Sequence, residues 1–125
     1  SATARRFEAG SPNSTGQAAL HASVRLLLEH GMDAVSGSIL ENTDFLLRHL
    51  PGIAGVKVTS RTGAERRSGI VSFRHASTAP DAIYQALRNR GISCAVREGS
   101  VRISPHFYQG ENELEKLIVA LTHIV

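Results

Sequence analysis

The sequence contains no tryptophan, four phenylalanines and two tyrosines, so a hydrophobic core must be mainly aliphatic. Its single cysteine, Cys94, excludes an internal disulfide and a cysteine-based zinc site within one chain, and a reduced, cytoplasmic setting is expected. No apolar run approaches the length of a membrane span, and residues 1–6 lack the apolar segment of a secretory signal behind them. Because the first residue is Ser1 rather than methionine, we expect the chain to be cut from a longer protein or processed.

The composition that remains is typical of one folded domain. The 125 residues are 42% hydrophobic, which is enough for a core and argues against disorder. The net charge is +3 and the sequence pI is about 9.6, and this mild excess of basic residues favours an anionic partner only weakly. We therefore predict a single domain over residues 1–125, with an arm and turn at 1–13 and the folded part at 14–125.

The apolar spacing predicts four helices and four strands. The helices are expected at 14–29, 33–49 and 80–89 and from 110–113 onward, with Leu20, Val24, Leu27 and Leu28 as the buried stripe of the first. The strands are expected at 56–59, 69–73, 92–97 and 100–104, the last two joined by a tight turn at Glu98 and Gly99. This order predicts an α+β fold, in which an antiparallel-rich sheet of about four strands has helices packed on it.

Arg102 is the candidate binding residue that the pattern itself offers. Val101 and Ile103 alternate with Arg102 and Ser104, so the arginine belongs to one face of a strand that runs into a Pro-aromatic turn. A guanidinium held in one direction by a sheet can grip a carboxylate with two hydrogen bonds. An edge-strand arginine in solvent explains the same pattern, and the sequence leaves both interpretations open.

Other polar features have a structural explanation beside the functional one. Cys94 fits a small buried apolar residue, or a nucleophile if a base lies near. The turn 10–13 before a helix fits a phosphate cradle or a simple helix cap. The basic loop 61–68 fits a solvated loop better than a nucleic-acid contact, because no aromatic residue lies among its arginines. The histidines show no metal-ligand spacing, at His21, His30, His49, His75, His106 and His123.

Several segments together resemble one enzyme family. Residues 6–13, Arg-Phe-Glu-Ala-Gly-Ser-Pro-Asn, resemble the RFEAGTPN segment of class V aminotransferases, the group that includes cysteine desulfurases. Residues 68–73, 91–92 and 101–108 continue the match in the right order and spacing. The resemblance covers nearly the whole chain and is to the C-terminal small domain of these fold-type I, pyridoxal-phosphate enzymes.

The resemblance implies roles for the matched residues. Arg102 corresponds to the arginine that grips the substrate α-carboxylate, and Arg97 to a second arginine that lines the active site. Gly10 and Ser11 correspond to the pair that reaches the cofactor phosphate of the other subunit in the dimer. Three further residues would flank the substrate pocket, namely His106, Phe107 and Tyr108.

Two departures from the family pattern limit what is implied. The cofactor-binding lysine of the family lies in a large domain upstream of Arg5, and the only lysines here, Lys57 and Lys116, are not in that motif. Cysteine desulfurases carry their catalytic cysteine in a loop between the last two strands, where this chain has only Glu98 and Gly99. The pattern therefore favours an aminotransferase, lyase or epimerase over a desulfurase.

We accordingly expect half of an active site. The chain would supply a carboxylate clamp and a phosphate-contacting turn. It would work with a large pyridoxal-phosphate domain and as a homodimer. Alone, it is expected to be inactive and to bind no cofactor. The alternative is a stand-alone module that binds an amino acid or a protein without catalysis. Nucleic-acid binding through Arg61, Arg66 and Arg67 is a third, less favoured hypothesis.

Overall fold

The computed structural model of the protein describes residues 2–7, 10–63 and 65–125, without the side chain of Arg5. Glu8 and Ala9 of the family-like segment lie outside the described residues. The internal contacts divide the chain into two units, Ser1–Val35 and Ser36–Val125. The first unit contains the first helix and the start of the second, and the second unit contains the sheet.

Four α-helices and four strands account for most of the described chain. The helices are α1 (Ser14–His30), α2 (Met32–His49), α3 (Pro80–Arg88) and α4 (Glu111–Thr122). The strands are β1 (Val56–Val58), β2 (Val71–His75), β3 (Ala95–Arg97) and β4 (Ser100–Ile103). Short 3-10 helices occur at Ala4–Phe7, inside the predicted arm, and at Leu50–Gly52.

The strands form one antiparallel sheet in the order β1-β2-β4-β3. β4 is therefore a central strand, paired with β2 on one side and with β3 on the other. The predicted α+β fold, with a sheet of about four strands and helices packed on it, is confirmed. The pairing of β2 with β4 brings together segments about 30 residues apart in the chain, Val71 opposite Ile103 and Phe73 opposite Val101.

One side of the sheet forms the hydrophobic core. Phe73 and Val101 are fully buried on this side, and Ile83 and Leu87 of α3 are buried in the same cluster. α4 adds Leu114, Leu117 and Leu121, as its apolar spacing predicts. Full burial of each such side chain contributes about 1.5–3 kcal/mol, so this layer holds the second unit together.

The other side of the sheet, which we call the polar face, carries the side chains that alternate with the core positions. Its polar members are Lys57, Ser72, Arg74, Arg97, Ser100 and Arg102, and Ala95 lies on the same side opposite Arg102. In a strand successive side chains point to opposite sides, so this face follows directly from the burial of Phe73 and Val101.

The predicted buried stripe of α1 is wrong. No residue of this helix is buried, and Leu20 and Leu28 are each 65% exposed. Val24 and Leu26 are also exposed, and Leu27 is only half-buried. The apolar spacing of α1 predicted the helix correctly, but its apolar side chains are not covered by the described residues. A helix this apolar is normally buried against a partner.

Two strands lie further along the chain than predicted. β2 extends to His75, whose Nε2 lies 3.1 Å from the carbonyl oxygen of Ala54 and which pairs with Val56. β3 begins only at Ala95, because the amide of Ile92 still donates a hydrogen bond to the Leu87 carbonyl at the end of α3.

Candidate functional site

The hairpin of β3 and β4 places Arg97 and Arg102 on the polar face. Its turn residues, Glu98 and Gly99, have φ angles of 49° and 68°. Two successive positive φ values are the mark of the two-residue turn whose twist matches that of a hairpin. Arg97 pairs with Ser100 and Ala95 with Arg102, so the two arginines are diagonal neighbours, about 7–8 Å apart at their backbones. The structure thus brings both sequence-predicted arginines together.

The two guanidinium groups differ in their surroundings. Arg102 is half-buried, and its Nε is a buried donor without a hydrogen-bond partner among the described residues. Arg97 is exposed, and its Nη1 donates to the carbonyl oxygen of Val96. Unsatisfied buried donors are uncommon in folded proteins, and an arginine keeps its charge at all ordinary pH values. Arg102 is therefore the better placed of the two to receive an anionic oxygen.

A hydrogen-bond network that the sequence analysis missed supports this hairpin. Arg74 of β2 donates from Nε to the Ser100 hydroxyl at 2.9 Å and from Nη2 to the Glu98 carbonyl at 2.6 Å. Thr59 donates a longer hydrogen bond, 3.3 Å, to the same hydroxyl of Ser100. Arg74 therefore fastens the turn to the central strands and limits the movement of Arg97 and Arg102. The alternation of Arg74 with Phe73 was visible in the sequence, but its pairing with β4 was not.

The three ring residues after β4 form a compact group. His106 stacks on Tyr108 with ring centroids 4.7 Å apart, and Phe107 lies 4.9 Å from His106. Asn42 of α2 fastens this segment by donating to the carbonyl oxygens of His106 and Gln109, both at 3.0 Å. His106 Nδ1 is buried without a partner among the described residues, and Tyr108 is exposed. Nothing in the local sequence indicated the contribution of Asn42.

Gly10 and Ser11 are exposed residues that precede α1. The next turn of chain forms a helix cap, because the Asn13 side chain accepts a hydrogen bond from the Gly16 amide at 2.9 Å. The Ser14 amide donates to the carbonyl of Pro12, so two amides near the helix start already have partners inside the chain. The cap interpretation of this turn is confirmed, while a phosphate contact by Gly10 and Ser11 stays a prediction.

Cys94 lies before β3 and packs, half-buried, against the hydrophobic core. Burial raises the pKa of its thiol above the usual value of 9.0, because the thiolate would lose hydration. The thiol form therefore dominates at neutral pH, which is the opposite of what a nucleophilic cysteine needs.

Cys94 is accordingly expected to react slowly. In the folded chain at pH 8, its reaction with a disulfide reagent should be several-fold slower than that of glutathione, because both burial and the raised pKa reduce access to a thiolate. The same pKa shift leaves stability unaffected below pH 9.0 and lowers it as the pH rises through the folded-state pKa. The urea-unfolded chain serves as the control. A folded-state rate above that of glutathione would instead support a nucleophilic role.

The remaining candidates have structural roles or no organised site. Arg67 forms an ion pair with Asp44 of α2, whereas Arg61 and Arg66 are exposed. Within residues 2–7, 10–63 and 65–125, no group of three His, Cys, Asp or Glu side chains is placed to hold a metal ion. No helix in that part of the chain is long and apolar enough to cross a membrane.

Comparison with known proteins identifies relatives along most of the sequence. The family described as Aminotransferase class-V matches residues 1–117. A probable cysteine desulfurase of Streptomyces coelicolor is 26% identical over an alignment of 132 positions. The alignment covers 95% of this chain and 32% of that protein. A cysteine desulfurase of Synechococcus elongatus is 30% identical over 137 aligned residues, with 95% and 21% covered. The chain thus spans a third or less of the length of these curated relatives.

Solved structures share the fold of this chain. The apo cysteine desulfurase of Thermococcus onnurineus matches with a TM-score of 0.88 at 22% identity, over 98% of this chain and 34% of that one. The cystine C-S lyase C-DES, solved in complex with cysteine persulfide, matches with a TM-score of 0.86 at 23% identity, over 96% and 32%. At such identities these likenesses establish the fold, and the sequence match over residues 1–117 establishes the family. This chain belongs to the class V aminotransferase family.

Proposed function

We propose that this chain is the C-terminal small domain of a pyridoxal-phosphate enzyme that acts on an amino acid. Arg102 binds the α-carboxylate of the substrate, and Arg97 lines the same site beside it. The observation that carries the proposal is the pair of arginines on one face of the β3–β4 hairpin, with Arg102 Nε buried and without a partner. A carboxylate can satisfy such a guanidinium with two parallel charged hydrogen bonds.

The ring group after β4 is proposed to form the wall of the substrate pocket. His106, Phe107 and Tyr108 follow β4 after only two residues, Ser104 and Pro105, so their backbone is anchored to the strand that carries Arg102. The hydrogen bonds from Asn42 hold the segment in place. Gly10 and Ser11 are proposed to contact the cofactor phosphate of the other subunit in a homodimer.

The residues of this chain fit the cofactor in part. They offer cationic and hydroxyl groups for carboxylate and phosphate, but neither lysine lies beside Arg102. Lys57 is two strands away on β1, and Lys116 is on α4, the helix packed on the opposite side of the sheet. When bound, pyridoxal phosphate supplies the electron-withdrawing group that the chemistry of amino acids requires. We therefore propose that a large domain contributes the lysine and most cofactor contacts.

The exposed side of α1 is the surface proposed for that large domain. Relatives of this family are about three times as long as this chain or longer, so each contains additional chain from which a covering domain can come. The exposed leucines of α1 have the character of an interface core rather than of a solvent-facing helix. In the separated chain, the same surface favours self-association.

We propose that the enzyme catalyses transamination, elimination or epimerisation rather than desulfuration. Its proposed location is the cytoplasm. The β3–β4 turn has two residues and no cysteine, and the thiol of Cys94 is half-buried with a raised pKa. An alternative is a non-catalytic module that binds an amino acid or a protein. The exposed apolar side chains of α1 favour a protein-binding role within this alternative.

The proposal predicts that the separated chain neither holds the cofactor covalently nor turns over amino acids. After incubation with pyridoxal phosphate and borohydride reduction, mass spectrometry should show no stoichiometric adduct at Lys57 or Lys116, because neither lysine lies beside Arg102. A lysine-bearing relative treated in parallel provides the positive control. A single stoichiometric adduct on one lysine of this chain would overturn the idea of a missing large domain.

Self-association of the separated chain is expected to depend on α1. Replacing Leu20 and Leu28 together by glutamine should shift the chain toward monomer in sedimentation velocity, because both side chains are exposed and apolar. Val119→Gln on α4 is the matched control, since Val119 is 56% exposed but lies in the other unit. Dissociation by Val119→Gln alone would show that the contact surface is elsewhere.

A further inference from the structure

Four side chains form a row across the polar face. Lys57 of β1 stands opposite Arg74 of β2, and Arg97 of β3 stands opposite Ser100 of β4. Continuing the β2–β4 register by one residue beyond Phe73 and Val101 places Arg74 opposite Ser100, in agreement with their hydrogen bond of 2.9 Å. The row, which we call the basic row, crosses all four strands and spans about 14 Å, or three inter-strand spacings.

The like charges of the basic row repel each other and lower the stability of the sheet, and the core does not need them in order to form. Like charges directly opposite each other on adjacent strands destabilise a sheet, and Lys57 and Arg74 form such a pair. Neither residue belongs to the core, and both are exposed. Among the described residues, neither Lys57 nor Arg74 nor Arg97 forms an ion pair with a carboxylate. An uncompensated positive row is typical of a surface that meets an anion.

Arg74 is already held in position for such a contact. Its Nε and Nη2 are engaged by Ser100 and by the Glu98 carbonyl, so its guanidinium does not have to be ordered on binding. Ordering a long side chain is one of the main costs of forming a polar interface. The neighbouring Lys57 adds a second charge at about 4.8 Å along the row.

The shape of this surface favours a polypeptide over a small molecule. Sites for small ligands are concave, and two large cavities of the second unit are lined by residues outside the basic row. A spread of about 14 Å instead matches an acidic polypeptide, whose alternate side chains in an extended segment lie about 6.8 Å apart. The row includes no aromatic side chain on which a nucleic-acid base could stack.

We propose that the basic row docks an acidic polypeptide segment, with Lys57 and Arg74 as its anchoring pair. Arg97 belongs both to the row and to the site proposed around Arg102, so the anchoring pair Lys57 and Arg74 is what separates the two proposals. A variant of Lys57, two strands from Arg102, therefore tests the docking surface without changing the proposed substrate site.

The two lysines of the chain allow a direct test. Reductive methylation with carbon-13 formaldehyde labels Lys57 and Lys116 while keeping their charges. Titrating the full chain with a polyglutamate peptide of about ten residues at low salt should move the Lys57 methyl signal and leave that of Lys116 in place. Lys57→Glu should weaken the binding of the peptide about tenfold, and Lys57→Arg should preserve it.

Lys116→Glu is the charge-matched control, because Lys116 is exposed on α4 in the layer beyond the core. An equal loss of affinity in this variant would show that only net charge matters and would overturn the proposal. Tighter binding of an oligothymidylate of the same charge would also overturn it, in favour of a nucleic-acid partner. Unchanged peptide affinity in Lys57→Glu would exclude the basic row as the docking surface.

Discussion

Phe73→Ala is expected to lower the free energy of unfolding by about 3–5 kcal/mol. Phe73 is fully buried at the centre of the sheet, on β2 between β1 and β4, and it is the largest of the fully buried side chains. Its removal forfeits the burial of a whole ring and leaves a cavity that α3 and the sheet can fill only in part. Since small domains have about 5–15 kcal/mol of stability in total, this loss approaches the whole margin. Urea unfolding followed by circular dichroism measures it.

Two variants separate packing from strand propensity. Ser72→Ala changes the next residue of the same strand on the polar face and should alter stability by no more than about 0.5 kcal/mol. Phe73→Leu keeps an apolar side chain of similar volume and should cost less than half as much as Phe73→Ala. Equal losses in Ser72→Ala and Phe73→Ala would show that the core is not on the side assigned to it.

The helices and strands were predictable because their apolar spacing is regular over several turns or alternations. Ile83 and Leu87 in α3 and Leu114 and Leu117 in α4 are buried as their spacing predicts. The order of the strands was not predictable, because β2 pairs with β4 across an intervening helix and strand. Such pairing depends on how whole surfaces pack together, and it cannot be read from the local strand propensity of either segment.

For α1 the sequence predicted the helix correctly but not the exposure of its apolar side chains. Its apolar spacing predicted a helix with a buried stripe, and the helix exists, but Leu20, Val24 and Leu28 are exposed. Periodicity reports that a surface is suited to burial and does not say which molecule covers it. The error therefore concerns what covers the apolar side chains and not the helix itself.

The candidate site was predictable only for residues within a single hairpin. Arg97 and Arg102 lie on two strands joined by a two-residue turn, so their common face follows from that turn and the alternation of side chains along each strand. Arg74 and Lys57 reach the same face through two further strand pairings, which the sequence does not specify. The fixation of the ring group by Asn42, 64 residues before His106, was beyond local reasoning for the same reason.

Arg102→Gln is expected to weaken amino-acid binding about 100-fold in an assembled enzyme. A suitable assembly is a chimera in which this chain replaces the aligned third of the Thermococcus cysteine desulfurase, which supplies the remaining two thirds of the enzyme. The concentration of L-cysteine or L-alanine that gives a half-maximal change of cofactor absorbance reports the affinity. The loss is large because glutamine removes the charge and one of two parallel hydrogen bonds to the carboxylate.

Matched variants show whether the effect belongs to the two-pronged grip. Arg102→Lys keeps the charge but not the planar guanidinium group. The affinity of this variant for the amino acid should therefore be about tenfold weaker than that of the unchanged chimera. Arg66→Gln removes one charge from an exposed loop and should leave the affinity unchanged. If Arg97→Gln abolished binding while Arg102→Gln did not, the exposed arginine would be the clamp, and the buried unpaired Nε of Arg102 would need another explanation. The assignment therefore depends on a contrast between two neighbours on one hairpin, which share their backbone support and differ mainly in burial.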